Sequence, residues 1–320
     1  MGVYSSGLPK NLPAFLPGGF FVILEHMIDI KKNVPLAPYT YFKIGGPAAF
    51  FTEVKSNEEL REALEWAHSL TLPFFILGAG SNVLISDKGF SGLVVKMDLQ
   101  GITGAGGCLV ASAGVAMARA VSESIKRGLG GFEWAIGVPG TMGGSVRGNA
   151  GCYGGEMKDV IQSVEVVEVG GAGVRTFTLD NTACGFGYRS SVFKYRPDWI
   201  ITSVTLTLKK EDPARSQELV RGYAQKRATS QAIGAQCAGC IFKNPAGDRG
   251  AGALIDAVGL KGKTMGHAMI SDKHANFIIN TGGATTEDVV MLIALIKERV
   301  HTAFGVQLEE EIQYVGFDRA

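Results

Sequence analysis

Gly137–Glu156 reads GVPGTMGGSVRGNAGCYGGE, and eight of residues 137–155 are glycine. A run so poor in side chains offers main chain rather than core. Glycine admits close approach by another backbone or a ligand, and successive N–H groups form concavities that hold anions. The stretch therefore predicts a loop, stiffened by Pro139 and Thr141, with Arg147 as its single charge before Glu156. Taken alone, the stretch has a second reading, a structural loop between strands.

A second glycine loop, GAGSN (Gly78–Asn82), follows the apolar run Phe74–Leu77 and leads into Val83–Ile85. Strand–loop–strand is the pattern. It has neither the GxGxxG spacing and following helix of a dinucleotide fingerprint nor a GxxxxGK[ST] phosphate loop. Upstream, Tyr41–Ala48 (YFKIGGPA) couples a short strand to a Gly-Gly-Pro turn, and Phe50–Val54 reads as a strand. Ser56 with Glu59 three residues on forms a capping box. It opens a helix to Leu70 with Leu60, Ala63, Leu64 and Ala67 as its apolar stripe.

Further strands are expected at Gly92–Lys96, Leu109–Ser112, Ser163–Val169, Val174–Thr178 and Ile200–Leu208, with a helix over Val115–Arg127. After Glu211-Asp212-Pro213 the composition changes. A basic helix, Ala214–Ser230, leads to a short strand in AGCIFKNPAG (Ala238–Gly247), a helix at Ala251–Val258 and a strand at His274–Asn280. Thr285, with Asp288, opens a strong helix closed by Gly305, and FGVQLEEEIQYVG ends the chain as a strand. This order predicts an α+β fold rather than strict βαβ alternation.

The 320 residues are 46% hydrophobic and 19% charged, enough for several domains. A net charge of +1, without a basic tail, argues against a nucleic-acid partner. The apolar run Phe20–Leu24 is too short to span a bilayer and lacks the flanks of a signal peptide. Residues 1–33 read as a poorly ordered extension, with Met27 as an alternative start. Five scattered cysteines, an odd number, fit a reducing cytoplasm better than a disulfide framework. No metal spacing is present among the histidines, and the Cys237/Cys240 pair lacks the second pair that a zinc site needs.

In order, FKIGGPA, LGAGSN, IGVPGTMGGSVRGNAGCYGGE, YRSSVF, CIFKNP, GLKG, HANFIIN and FGVQLEEEI resemble the UDP-N-acetylenolpyruvoylglucosamine reductase (UDP-N-acetylmuramate dehydrogenase, MurB) family from about Val34 to Gly316. The resemblance implies a two-part FAD-binding module of the p-cresol methylhydroxylase type, residues 34–95 and 96–211, followed by an α+β substrate-binding domain, 212–320. Only 51 positions separate Arg189 from Cys240, as in the shorter variant without a substrate-covering insertion. The reaction implied passes a hydride from NADPH, through non-covalent FAD, to UDP-N-acetylglucosamine enolpyruvate. The product is UDP-N-acetylmuramate, a precursor of bacterial peptidoglycan. No membrane and no obligate protein partner are implied.

By the same resemblance, Gly78, Ala79, Gly80, Ser81 and Asn82 wrap the FAD pyrophosphate. Pro139, Gly140, Thr141, Gly143 and Gly144 lie along the flavin, and Lys43, Ile44, Gly45 and Gly46 line the same cleft. Arg189 matches the arginine that holds the substrate carboxylate by two hydrogen bonds. Cys240 stands where most relatives carry serine as the proton donor, and a thiol is the stronger acid, with an ordinary pKa near 8.5. Glu311 matches the family's glutamate beside the developing enolate, although Glu310 replaces a proline and blurs the register; Glu309 and Glu310 are expected to be solvated. Tyr188, Arg227, Lys243, Asn244, Lys261, His274 and Asn276 are candidates for holding the UDP part. Two other readings fit parts of the sequence: a flavin oxidase, whose covalent attachment only Cys152 in the glycine loop could provide, and a scaffold that keeps the fold without the chemistry. Arg189, Cys240 and Glu311 together argue against the scaffold.

Overall fold

The computed structural model describes residues 28–170, 173–232 and 234–317. The proposed extension therefore lies largely outside the described residues, as does Met27. Its last part does not read as predicted: Lys31–Pro35 is an edge strand, paired antiparallel with Pro47–Val54.

That strand begins a four-stranded sheet in the order Lys31–Pro35, Pro47–Val54, Phe90–Met97, Phe74–Leu77, whose last three strands run parallel. Its central strand is buried on both faces. Leu93, Val95 and Met97 enter one apolar cluster and Val94 another, as the two-residue period of a strand requires. Helix α1 (Asn57–Ser69) covers the first face through Leu60, Ala63, Leu64 and Ala67. Its cap differs in detail from a capping box. Ser56 accepts the Glu59 N–H at 3.1 Å, but the Glu59 carboxylate takes the N–H of Lys55 rather than that of Ser56.

A second, wholly antiparallel sheet has the order Gly173–Asp180, Ile161–Gly170, Trp199–Thr207, Cys108–Ser112, Ile102–Ala105. Helix α2 (Met117–Lys126) buries Met117, Ala120, Val121 and Ile125 in the cluster shared with the first sheet. The glycine-rich stretch is not all loop. Thr141 caps a short helix, α3 (Met142–Arg147), and accepts the Gly144 N–H at 3.4 Å. Met142 and Val146, four residues apart on one face, are fully buried. Gly143 sits against the end of a strand: its N–H donates to Ala113 O at 2.9 Å, and an added Cβ would lie 2.9 Å from that of Ala113.

Of the remaining residues, Val220 and Tyr223 of the helix Pro213–Ser230 lie against the cluster of the two sheets, and the segments that follow pack around a separate apolar cluster. Helices α4 (Pro213–Ser230), α5 (Ala251–Ala257) and α6 (Thr286–Phe304) follow one another. The cluster itself joins α5, α6 and a three-stranded sheet of Thr264–Met265, Ala268–Ile270 and Ile278–Asn280. The capping box at Thr285/Asp288 is complete, and Gly305 closes α6 in the left-handed region at φ 69°.

Four strand expectations shrink, among them His274–Asn280, of which only Ile278–Asn280 pairs, with Ala268–Ile270. No strand forms over residues 41–46, because Pro47 is the first residue to pair. Residues 240–242 make only isolated bridges, Cys240 to Phe277 and Phe242 to Glu310. In the C-terminal run only Gln313–Val315 is a strand, and it returns to pair in parallel with Val83–Ile85 beside the first glycine loop. Among the described residues, no helix is long and apolar enough to cross a membrane.

Candidate active site

The two glycine loops meet. Ser81 Oγ donates to Pro139 O at 3.0 Å, and a Cβ on Gly78 would lie 2.7 Å from Thr141 Oγ1. The contact between loops 58 residues apart thus depends on missing side chains. A cleft of about 150 Å³ opens beside them. Gly78, Thr141, Gly143 and Gly144 supply one part of its lining, and Phe75, Ile76, Phe193, Trp199 and Ile201 supply apolar walls. Main-chain edges beside aromatic and aliphatic walls suit a flat ring system carried on a phosphate-bearing tail.

Residues 43–46 support this arrangement rather than line the cleft. Tyr41 N–H donates to Gly80 O at 3.0 Å, Lys43 Nζ donates to Pro38 O at 2.9 Å within its own loop, and Ile44 is buried in the α5–α6 cluster. Gly45 and Gly46 accept from Ala37 and Leu36 N–H at 3.2 and 3.1 Å.

Arg147 and Gln313 also line the cleft and bond to each other, Arg147 Nη1 donating to Gln313 Oε1 at 3.0 Å. Both were missed from the sequence, although Arg147 is the one charge in the glycine run before Glu156. Two residues before Gln313 is Glu311, whose Oε1 pairs with Arg189 Nε at 3.1 Å. Arg189 occupies the left-handed region, φ 52°, within the tight turn Gly187–Ser190. Its guanidinium also donates to Gly151 O at 2.8 Å and lies over the Tyr188 ring.

Cys240 and Glu311 come together through backbone. Glu311 N–H donates to Ile241 O at 2.7 Å and Lys243 N–H to Glu309 O at 2.8 Å. On the other side, Ile241 N–H donates to Asn276 O at 2.9 Å. This pairing resolves the register: of the three acids, Glu311 faces Arg189. Glu309 is solvated as expected, 73% exposed while it pairs with Lys243, whereas Glu310 is partly covered and pairs with Lys297. Asn82 Nδ2 donates to Glu311 O at 3.3 Å, tying the first glycine loop to this segment.

Burial raises the Glu311 carboxyl above the usual carboxylate range despite the cations of Arg189, Lys194 and Lys243. The Cys240 thiol is pushed up to about 12, by burial first and then by the negative Glu311, with Arg189 and Arg227 partly offsetting both. It is therefore a thiol, not a thiolate, at neutral pH. Burial, with Arg147 and Lys243 nearby, pulls the Lys194 ammonium down. Lys194 ends the YRSSVFK run, and the sequence reading used only its first part.

The seven residues expected around UDP divide. Arg227 lies in the cluster: Nη2 reaches Cys152 Sγ at 3.5 Å, and its Nε is buried without a hydrogen-bond partner. Cys152 itself donates to Trp134 O at 3.0 Å. Tyr188 is half exposed and accepts the Asn244 N–H at 3.1 Å, and Lys243 is held by Glu309. The other four have partners within the chain. Asn244 Oδ1 accepts the Ala251 N–H at the start of α5 at 3.0 Å. Asn276 is buried, with both ends of its amide on the Phe242 backbone. Lys261 pairs with Asp256 at 2.7 Å. His274 packs on Phe277 and accepts the Asn276 N–H at 3.2 Å. Among the described residues, no cluster of three or more His, Cys, Asp or Glu side chains could hold a metal.

Residues 48–176 match an FAD binding domain, and residues 231–315 match the C-terminal domain of UDP-N-acetylenolpyruvoylglucosamine reductase. The chain is 39% identical over 289 residues to the UDP-N-acetylenolpyruvoylglucosamine reductase of Alkaliphilus oremlandii, covering 90% of this chain and 93% of the relative. It is 40% identical over 290 residues to that of a Synechococcus species, covering 90% and 91%. The crystal structure of the Thermus caldophilus enzyme superposes with a TM-score of 0.76 at 34% identity, covering 90% of this chain and all of that one.

Proposed function

The chain belongs to the UDP-N-acetylenolpyruvoylglucosamine reductase family, FAD-dependent oxidoreductases of peptidoglycan synthesis, and on that premise we propose that it reduces UDP-N-acetylglucosamine enolpyruvate with NADPH and completes the product by protonating its α-carbon from Cys240. The supporting observation is the Arg189–Glu311 pair at 3.1 Å, with a protonated Cys240 thiol in the field of both.

The residues that would hold FAD are Gly78–Asn82 and Pro139–Gly144, with Lys43–Gly46 bracing the first loop. Their fit rests on the glycine contacts and the apolar cleft described above. When bound, FAD supplies two-electron chemistry that joins oxidation of a nicotinamide to reduction of the enolpyruvyl double bond. The residues of the chain do the rest. Arg189 takes the substrate carboxylate in its guanidinium fork and stabilises the negative charge that spreads into it as the α-carbon becomes basic. Cys240 Sγ–H gives its proton to that carbon. A thiol pushed up to about 12 still far exceeds the acidity of a carbanion's conjugate acid, and afterwards it regains its proton from solvent. Glu311 orients Arg189. Arg227 and Lys243 are the cations left for the pyrophosphate, Lys243 after exchanging Glu309 for it. The domain division at residues 95 and 211, and a cytoplasmic location, belong to the same proposal.

The test is spectroscopic. The purified protein is expected to be yellow, to bleach on adding NADPH, and to recover its colour on adding UDP-N-acetylglucosamine enolpyruvate. Bleaching without recovery would refute the substrate assignment, and a protein that never binds flavin would refute the whole reading.

A further inference from the structure

Within the glycine-rich stretch, Asn149 is fully buried and has φ 42°, in the left-handed region. An amide has two N–H donors and one acceptor oxygen, and here all three are engaged. Nδ2 donates to Gly187 O and to Glu156 Oε2, each at 2.9 Å, and Oδ1 accepts the Lys158 N–H at 3.0 Å. Gly187 is the first residue of the turn that displays Arg189. The turn is closed by Gly187 N–H to Ser190 O at 3.0 Å and by Ser190 N–H to Gly187 O at 3.1 Å. The Gly187 carbonyl therefore receives two donors, one from its own turn and one from Asn149.

Two more bonds tie the same turn to the same short stretch. Arg189 Nη2 donates to Gly151 O at 2.8 Å, and Ser191 Oγ donates to Arg147 O at 2.7 Å. Arg189 itself is in a backbone region that L side chains seldom adopt, which persists only where the surroundings over-determine it. Residues 147–151 are those surroundings. Among the three ties, Asn149 contributes the one side chain from the template side, so it can be removed without touching Arg189.

We propose that Asn149 is a positioning residue for Arg189: by holding the Gly187 carbonyl, it fixes the turn so that the guanidinium lies beside Glu311 and meets the carboxylate of the substrate. This rests on the reading of Arg189 as the carboxylate-binding group. The competing role is a staple of the Gly151–Glu156 hairpin alone, through Glu156 and Lys158. The two roles differ in what they protect. A staple guards the fold and the flavin loop, whereas a positioning residue guards recognition of one charged group on one ligand.

Two ligands separate them, each titrated against flavin absorbance of the FAD-loaded protein. UDP-N-acetylglucosamine enolpyruvate carries the carboxylate, and UDP-N-acetylglucosamine lacks it. In the unaltered protein the first should bind more tightly; equal binding would overturn the reading of Arg189 itself, independently of Asn149. Asn149→Gly suits the left-handed backbone and removes the amide. Asn149→Asp suits the same backbone and keeps the acceptor for Lys158, but loses the donors to Gly187 and Glu156. In both, affinity for the enolpyruvate should fall by about tenfold or more, with affinity for UDP-N-acetylglucosamine and the rate of bleaching by NADPH changed by less than about twofold. Equal losses for both ligands, unchanged affinity for both, or loss of folding or flavin in both variants would assign Asn149 to the scaffold and overturn the proposal.

Discussion

The loops around the cleft and the cluster around Arg189 solve opposite problems. The first region is built from backbone: Gly78, Gly143 and their neighbours matter for atoms they lack, because they let segments distant in sequence touch. The second is built from side chains of three distant segments, Arg189, Cys240 and Glu311, with charges that burial makes costly. A site of the first kind tolerates no added atom, whereas one of the second tolerates changes that keep charge and proton. The difference teaches that cofactor and substrate functions should fail separately when mutated.

The largest separation is expected at Arg189. Arg189→Ala removes the guanidinium that faces Glu311, and losing such an electrostatic partner costs about 10³-fold in the step it serves. Stopped-flow absorbance should show recovery of flavin colour by substrate slowed to that extent, with bleaching by NADPH unchanged. If both steps slow together, the two regions are not separable in the way described.

Cys240 should follow. Cys240→Ala is expected to slow colour recovery by about 10²-fold, again without affecting bleaching. Cys240→Ser, which restores an O–H donor, should keep substantial activity. Because the thiol is pushed up to about 12, the unaltered protein should also show no loss of recovery rate through the pH 7–9 range from deprotonation of this group. Recovery at the normal rate in Cys240→Ala would move the proton donor elsewhere.

On the cofactor side the sharpest probe is Gly143→Ala. A Cβ there would stand 2.9 Å from Ala113 Cβ, with Ala113 O at 3.4 Å, so α3 must move off the strand. Overpacking of this kind costs about 1–3 kcal/mol. Flavin affinity, read by fluorescence of released FAD, should weaken, while protein that remains loaded should recover colour normally. A loaded variant with slow recovery would mean that the glycine loop also serves the substrate step.

The same contrast explains what the sequence made legible. Local signals held: Ser56 and Thr285 as caps, the stripes of α1 and α6, the pairs of glycine loops. Misread elements depended on contacts far along the chain or on sparse patterns. Met142 and Val146 formed a helix face hidden by the glycines between them. The final strand is only three residues because its partner, Val83–Ile85, is equally short and lies 230 positions earlier. At the candidate site, motif matching singled out Arg189, Cys240 and Glu311, which the fold brings together, but not their supports. Asn276 and Asn244 carry polar side chains that suggest a ligand and are occupied by backbone. Arg147 and Lys194 were visible as charges, but nothing in one dimension says that Arg147 lies in the cleft near Lys194, or that Lys194 lies near Glu311.

The smallest effect concerns Glu311 and tests how much burial governs the charged region. Its carboxyl is raised by burial more than Arg189, Lys194 and Lys243 lower it. A carboxyl whose folded pKa exceeds its unfolded value binds its proton more tightly in the folded state. Its contribution to stability is thus fully present below the unfolded value and is lost as pH rises through the folded one. Glu311→Gln carries no such charge, yet its amide oxygen can still accept from Arg189 Nε. The variant should therefore gain in Tm relative to the unaltered protein as pH rises from about 4 to 7. The gain should be a few degrees at most, since about 1 kcal/mol moves Tm by roughly 2 °C in a chain of this size. Colour recovery should fall in the same variant, because a neutral amide orients Arg189 less firmly. A variant that loses Tm toward neutral pH would mean that the Arg189 pairing outweighs burial, and that the charged region is held together by the attraction between its groups rather than in spite of the cost of enclosing them.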